Sequence, residues 1–184
     1  MGKIKLFTHG ADLDGVGCAI LAYLAFGRKD VDVEYCNYDD VDEKVEELLS
    51  NSDLRNLYDK IFITDISISE ELAKAIDVWI NPFNVYLFDH HATALGLKKY
   101  DWCDVRVTYD NGLKTSGTEL FSMHLFENEQ FDHYDTITIA NIGLFVQIVR
   151  DYDTWKWKEL GEEGIVCKQV NDLFHMYECE KFID

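Results

Sequence analysis

The sequence predicts an α/β fold, in which a mostly parallel sheet of about five strands carries helices on both faces. Along the first hundred residues, short runs of β-branched and aromatic residues alternate with segments of helical periodicity, as in right-handed βαβ units. The runs are almost continuously apolar, which is typical of strands buried on both faces. The chain has 184 residues, of which 47% are hydrophobic, enough for one sizeable core. We therefore expect residues 1–184 to form a single domain.

The predicted elements follow one another in a regular order. Four strands are predicted, with a fifth candidate at the end of this series: Ile4–Thr8, Val31–Tyr35, Ile61–Thr64, Val85–Phe88 and Arg106–Tyr109. Apolar residues that recur with the period of a helix predict helices at Val16–Phe26, Val41–Leu49, Glu70–Ile76, Thr115–Phe126, Tyr134–Val149 and Asp172–Tyr177.

The charge balance of the chain is strongly acidic. There are 17 lysines and arginines against 35 aspartates and glutamates, which gives a formal net charge of −18. This balance argues against binding to duplex DNA and against docking on an anionic membrane, because both need a basic face. Phosphate-bearing substrates remain compatible with it, since bound divalent cations reverse the sign of the local field.

The cysteines and the apolar segments indicate the cellular compartment of the chain. Its five cysteines are scattered and form no CxxC pair, which favours reduced thiols over a disulfide framework or a zinc ribbon. The N-terminus does not have the pattern of a signal peptide, and the longest apolar stretch is too short to span a bilayer. We expect a cytoplasmic protein.

Three polar clusters follow three of the predicted strands. The first is THGADLDGVG, which begins at Thr8; the second is TDIS, which contains Asp65; the third is the triplet Asp89-His90-His91. The carboxyl ends of parallel strands meet at one edge of the sheet, where ligands bind. Imidazoles and carboxylates that converge there suit Mn²⁺ or a similar ion. Two ions are favoured over one, because several carboxylates in one pocket otherwise repel one another.

Each cluster also has a simpler interpretation. Aspartates cap helices, and a glycine permits a tight turn, but a cap explains one aspartate of the first cluster and not His9, Asp12 and Asp14 together. Asp65 alone would be read as a turn residue. The adjacent histidines of the third cluster would be read as a polar loop without a ligand.

At this point the sequence resembles a known family. The segment His9–Gly15 and the triplet Asp89-His90-His91 look like signature loops of the DHH phosphoesterase superfamily. Asp65, at the end of an apolar strand, resembles its second motif, and the segment 148–151 (IVRD) resembles its fourth. One such loop is weak support. Four in the same order, spread over most of the chain, are specific.

The resemblance implies a two-metal centre. Six side chains would hold two divalent ions, with Mn²⁺ preferred and Mg²⁺ or Co²⁺ as alternatives: His9 and Asp12 for one ion, Asp14, His90 and Asp151 for the other, and Asp65 between them. The fourth motif offers a second carboxylate, Asp153. We favour Asp151 because it directly follows the apolar segment.

The resemblance also implies two catalytic residues and a reaction. His91 would contact the scissile phosphate or the leaving oxygen, and Asp89 would orient His90. The expected activity is metal-dependent hydrolysis of a phosphodiester or phosphoanhydride in a small nucleotide or a very short single-stranded oligonucleotide. Two alternatives stay open: a non-catalytic module of the same fold that binds a nucleotide or a protein, and an inorganic pyrophosphatase or polyphosphatase.

The C-terminal part of the sequence adds two expectations. Many relatives carry a second domain with a glycine-rich substrate loop, and nothing in Trp155–Asp184 resembles that loop, so a homodimer or a separate C-terminal domain would complete the cleft. Trp155 and Trp157 flank Lys156 just beyond the fourth motif. Unpaired bases stack on aromatic faces, but we favour packing of both rings in the core.

Overall fold

Five parallel strands form one sheet. The computed structural model describes residues 2–79, 84–177 and 179–183. The strands are Lys3–His9 (β1), Val31–Cys36 (β2), Tyr58–Thr64 (β3), Val85–Asp89 (β4) and Cys103–Val105 (β5). Their order across the sheet is β2-β1-β3-β4-β5, and every pairing is parallel. The predicted α/β class is confirmed.

Helices connect the strands and follow the last of them. They are Leu13–Phe26 (α1), Val41–Ser50 (α2), Ser52–Arg55 (α3), Glu70–Trp79 (α4), Gly117–Glu127 (α5), Thr136–Asp153 (α6), Glu162–Phe174 (α7) and Cys179–Ile183 (α8), with 3-10 segments at Ala92–Lys99 and Lys156–Glu159. Within the described ranges, none of these helices has the length and apolar character that crossing a membrane requires.

The two faces of the sheet carry separate apolar layers. Successive residues of a strand point to opposite faces. Phe7 and Ile63 therefore pack with α2, α4 and the 92–99 segment, whereas Leu6 and Phe62 pack with α1, α5 and α6. All four side chains are fully buried. Burial on both sides is the reason why these strands are apolar at consecutive positions.

The fifth strand lies earlier in the chain than the sequence predicts. The alternation in Arg106–Tyr109 resembles a strand, but β5 is Cys103–Val105, whose ends are buried against the sheet. The chain then turns back on itself at Gly112, which has a φ of 82°. The Tyr109 N–H donates to the Leu113 carbonyl at 2.8 Å, which closes a hairpin over residues 106–115. Residues 106–109 therefore form one arm of this hairpin instead of a strand of the sheet.

The C-terminal helix also differs from the prediction. The expected bounds Asp172–Tyr177 are wrong, because α7 runs from Glu162 to Phe174 and overlaps the predicted segment only at residues 172–174. Acidic residues in its first turn suit the positive end of the helix dipole. The five cysteines are all free, as expected.

Candidate metal centre at the carboxyl edge of the sheet

Three neighbouring strands deliver the predicted polar clusters to one place. His9 is the last residue of β1, Asp65 directly follows β3, and Asp89 is the last residue of β4. In the sheet register, Thr8 of β1 faces Thr64 of β3, and Thr64 faces Phe88 of β4. The three loops therefore leave the sheet side by side. We call the side chains that meet there the edge cluster: His9, Asp12, Asp14, Asp65, His90, His91 and Asp153.

Asp12 divides its two oxygens between a helix cap and the edge cluster. Its Oδ1 accepts the Gly15 N–H at 3.0 Å, so Asp12 is the N-cap of α1. Its Oδ2 lies 2.8 Å from Nδ1 of His9. Burial acts to raise the pKa of Asp12, but the hydrogen bond and charge of His9 hold it below its ordinary value. Capping therefore explains only one of the two oxygens.

Asp14 is held by the N-terminus of α5. Its carboxylate accepts the Gly117 N–H at 2.6 Å and the Thr118 N–H at 2.9 Å, and the Thr118 hydroxyl donates to the Asp14 carbonyl at 2.5 Å. Free N–H groups and the helix dipole both stabilise an anion at such an end. These contacts fix a carboxylate that is 2% exposed, with Oδ2 3.5 Å from Nε2 of His90.

Asp65 lies at the middle of the edge cluster and is the least satisfied group in it. Oδ1 is 3.3 Å from Nε2 of His90, and Oδ2 is 3.8 Å from Nδ1 of His9. Both oxygens are buried, and neither accepts a hydrogen bond from a described residue. Burial and the nearby charge of Asp14 raise the pKa of Asp65 well above its ordinary value. An unpaired buried carboxylate is costly unless a cation accompanies it.

Backbone geometry at Asp65 is also special. Its φ is +56°, in the left-handed region that aspartate tolerates better than most residues. Gly117 packs so closely against it that a Cβ there would lie 2.5 Å from the Asp65 Cβ. The sharp turn after β3 and the glycine at the start of α5 together direct this carboxylate into the edge cluster.

The Asp89-His90-His91 triplet is organised by one carboxylate oxygen. Oδ1 of Asp89 accepts the backbone N–H groups of His90 and His91 and the ring Nδ1–H of His91 at 2.7 Å. This differs from the expectation that Asp89 orients the ring of His90. The hydrogen bond to Asp89 raises the pKa of His91. Burial lowers the pKa of His90, whose Nε2 faces Asp14 and Asp65.

At the end of α6, the structure brings Asp153 to the edge cluster and not Asp151. Oδ2 of Asp153 lies 3.7 Å from Nε2 of His90. Asp151 is buried elsewhere, where its Oδ1 accepts hydrogen bonds from Nε and Nη2 of Arg150 at 3.0 and 2.8 Å. Two residues along a helix differ by about 200° in direction, so the two carboxylates point to nearly opposite sides. Burial and the charge of Asp14 raise the pKa of Asp153 to about 8.

The ligand atoms of the edge cluster form three overlapping groups. Within each group the atoms lie within 4.8 Å of one another; the groups are His9, Asp12 and Asp65, then Asp14, His90 and Asp153, then Asp65, His90 and His91. Carboxylates and imidazoles suit a divalent ion of the Mn²⁺ type. The two buried oxygens of Asp65 and the raised pKa values of Asp65 and Asp153 show that positive charge would stabilise this arrangement. The residues present fit divalent cations.

Tyr38 is a site residue that the sequence analysis did not identify. Its hydroxyl lies 3.4 Å from Nε2 of His91, and its ring centroid is 5.2 Å from that of His9. Burial and the charges of Asp65 and Asp89 raise its pKa to about 12, so it stays a neutral hydrogen-bonding group. The signal was available, because Tyr38 comes two residues after β2, the neighbour of β1 in the sheet.

The two tryptophans beyond α6 differ from each other. Trp157 stacks on Tyr152, with ring centroids 5.8 Å apart. Trp155 is 64% exposed, so the expectation that it packs in the core is wrong. Trp155 has a φ of +66° at the turn that follows α6, which ends the helix before this ring can join its packed face.

Comparisons with known proteins agree with this architecture. No family model matches the chain. The chain is 36% identical over 178 residues to oligoribonuclease NrnB of Bacillus subtilis (strain 168), a match that covers 96% of this chain and 42% of that protein. An uncharacterized protein from Helicobacter pylori G27, known from its crystal structure, has the same fold with a TM-score of 0.74 and 16% identity, over all of this chain and 55% of that one. The chain thus spans about half of these proteins or less. The match to oligoribonuclease NrnB confirms, over nearly the whole chain, the resemblance to DHH phosphoesterases that the motifs predict.

Proposed function

We propose that this chain is the catalytic part of a metal-dependent phosphoesterase that hydrolyses phosphodiester bonds in very short RNA. The edge cluster carries the proposal, because three overlapping groups of ligand side chains meet there, and the unsatisfied carboxylate of Asp65 lies between His9 and His90. The similarity to a protein named an oligoribonuclease supports short RNA as the substrate.

The side chains divide between two ions as follows. His9 and Asp12 would hold one, Asp14, His90 and Asp153 would hold the other, and Asp65 would face both. Divalent ions bound there supply Lewis acidity, which stabilises negative charge on a phosphoryl group and lowers the pKa of water. Asp153 takes the place in this set that the sequence analysis gave to Asp151.

The protein's own groups position the substrate and hold protons. Asp89 fixes the Nδ1–H of His91, which leaves Nε2 directed toward Tyr38 at the open side of the site. The raised pKa of His91 increases the protonated fraction, so this ring can donate a hydrogen bond to a phosphoryl oxygen. His91 is therefore the proposed catalytic residue, and Asp89 is its positioning residue.

The charge of the chain favours short substrates. With a formal net charge of −18, its surface repels a long polyanion, whereas a dinucleotide brings few phosphates outside the site. We expect the ratio kcat/KM to be highest for the shortest strands.

Hydrolysis of three substrates tests the proposal. A diribonucleotide, a twenty-nucleotide RNA and inorganic pyrophosphate are compared with Mn²⁺ present and after removal of metal by a chelator. We expect the diribonucleotide to be cleaved fastest, and only with metal. Activity that survives thorough removal of metal would contradict the proposal. Preferential release of phosphate from pyrophosphate would assign a phosphoanhydride substrate instead, and metal binding without any turnover would indicate a non-catalytic module.

A further inference from the structure

A cleft of about 370 Å³, a volume in the range of small-molecule sites, is lined by Thr154 and Trp155, the two residues that follow Asp153 of the edge cluster. One wall is the hairpin over residues 106–115, which contributes Lys114 and Leu113. The other is the turn after α6, which contributes Trp155 and Lys156. We call it the Trp155 cleft.

Trp155 presents its ring to this cleft at a conformational cost. A bulky residue at a positive φ is uncommon, and such strain persists only where the surroundings fix it. Here the Trp155 N–H donates to the Tyr152 carbonyl at 3.0 Å, and the Trp155 carbonyl accepts the Lys158 N–H at 3.3 Å. The ring is 64% exposed, so core packing does not explain it.

Three lysines lie in or next to the Trp155 cleft, in a chain with a formal net charge of −18. Nζ of Lys158 lies 3.9 Å from the centroid of the Trp155 ring, but Lys158 does not line the cleft, so it supports the ring from outside. Lys156 lines the cleft and is 3.8 Å from Oδ1 of Asp151. On the opposite wall, the side chain of Lys114 has no salt bridge to any residue in the described ranges. Its charge is therefore available to an anion.

Both walls of the Trp155 cleft lie close in the chain to residues of the edge cluster or to residues that bind it. Trp155 is two residues beyond Asp153 in the chain, and Lys114 is three residues before Gly117, whose N–H binds Asp14. A phosphate at the edge cluster would therefore have a stacking surface and two cations next to it.

We propose that the Trp155 cleft binds the nucleoside adjacent to the scissile phosphate, with its base stacked on Trp155 and its phosphates near Lys114 and Lys156. The inference rests on the proposed function and assigns the surface that would bind the nucleobase of the substrate. Stacking on an aromatic face does not depend on base identity, so purines and pyrimidines are both accepted.

Binding of adenosine 5′-monophosphate and of inorganic pyrophosphate to the Mn²⁺-loaded chain tests this assignment. Since stacking on an aromatic side chain contributes about 1–3 kcal/mol, Trp155→Ala should weaken binding of the mononucleotide about 5- to 150-fold and leave pyrophosphate nearly unchanged. Trp155→Phe should keep most of the affinity. Trp155→Gly, which suits the positive φ, should behave like the alanine variant and removes backbone strain as an explanation. Tyr177→Ala, at an exposed position outside the cleft, is the matched control.

Two results would overturn the assignment: mononucleotide binding that is unchanged in both the alanine and glycine variants, or an equal loss for mononucleotide and pyrophosphate. Lys114→Ala gives an independent reading, because its effect on mononucleotide binding should be larger at low salt than at high salt. Binding is measured without turnover, so the two proposals fail separately. Trp155-dependent nucleotide binding without RNA hydrolysis would support the cleft assignment and contradict the proposed function. RNA hydrolysis with no Trp155 effect would do the reverse.

Discussion

The edge cluster and the Trp155 cleft are joined by two peptide units, yet they are built in opposite ways. The edge cluster gathers carboxylates and imidazoles, with Asp14 and Asp65 no more than 2% exposed, from the ends of three adjacent strands, the first turn of α1 and the end of α6. The Trp155 cleft presents an exposed ring and lysines on a hairpin and a helix end. The carboxylates of the edge cluster repel one another, so a rigid framework must hold them in place, and the sheet provides it. A surface that accepts varied bases needs only one fixed aromatic plane.

The difference in charge also divides the work of the site. The edge cluster is negative and suits cations, whereas the Trp155 cleft is lined by three cationic side chains against one carboxylate and would suit an anionic substrate: Lys114, Arg150, Lys156 and Glu159. The edge cluster alone would repel an anionic substrate, so bound metal ions and the lysines of the cleft would both be needed to attract it.

His90→Ala should separate the regions most strongly. Nε2 of His90 is the atom that faces Asp14, Asp65 and Asp153 together. Since loss of an outer partner of a metal ligand already costs about 10–100-fold, loss of this ring should reduce turnover by more than about 100-fold and weaken Mn²⁺ binding. Mononucleotide stacking on Trp155 should survive at high nucleotide concentration. Turnover at the wild-type level would remove His90 from the centre.

The pair Asp153→Asn and Asp151→Asn tests which of the two carboxylates at the end of α6 binds metal. Asp153→Asn should weaken Mn²⁺ binding and leave the metal-free fold at least as stable, because a neutral amide replaces a carboxyl group whose ionisation is disfavoured by burial and by Asp14. Asp151→Asn should act on stability, at a cost of about 1–3 kcal/mol, since Arg150 loses a charged acceptor while it keeps Glu119. Mn²⁺ titration and urea unfolding of both variants decide. The opposite assignment of effects would restore Asp151 as the ligand.

Gly117→Ala tests how closely α5 supports the edge cluster. The added Cβ would lie 2.5 Å from the Cβ of Asp65 and would displace the N–H that holds Asp14. We expect a loss of about 1–3 kcal/mol in the free energy of unfolding, together with weaker Mn²⁺ binding. Gly143→Ala in α6 is the control, because a Cβ there meets nothing within 4 Å and should stabilise the helix by up to about 1 kcal/mol. Equal effects of the two changes would refute the close packing.

The pH dependence of stability should reveal the edge cluster by its sign. In the metal-free chain, the raised pKa of Asp65 makes the folded state bind more protons than the unfolded state, so this group contributes more stability as pH falls. His124 acts in the opposite way. Burial among aromatic rings and the charge of Lys60 lower its pKa from 6.5 to about 4, so its contribution is complete above pH 6.5 and is lost as pH falls toward 4.

Unfolding curves between pH 4 and 7 measure this contrast. Asp65→Asn should make stability fall more steeply with decreasing pH, whereas His124→Gln should make it fall less steeply. Asparagine suits the left-handed backbone of Asp65, so the comparison reports charge and not strain. A change of slope in the same direction in both variants would contradict the assigned pKa shifts.

The sequence predicts the features that follow from hydrophobic periodicity and from the ends of strands. It does not predict the features that depend on which way a side chain points from its helix or turn. Asp65 and the triplet at Asp89 were identified because polar residues directly after apolar strands must meet at one edge of a parallel sheet. The choice between Asp151 and Asp153 needs the rotation of α6 about its axis, which periodicity does not define within two residues. The expectation for Trp155 is wrong because apolar composition predicts burial, whereas Trp155 lies at a turn with positive φ beyond the end of α6, a backbone feature that the sequence does not show.

Calorimetric titration of the metal-free chain with Mn²⁺ tests the central claim most directly, because it counts ions without any assumption about substrate. Two ions per chain are expected, with one lost in Asp153→Asn and weaker binding of both in Asp65→Asn, the carboxylate that faces both groups of ligands. No Mn²⁺ binding by the wild-type chain, or binding that neither substitution changes, would contradict a two-metal centre at the edge of the sheet.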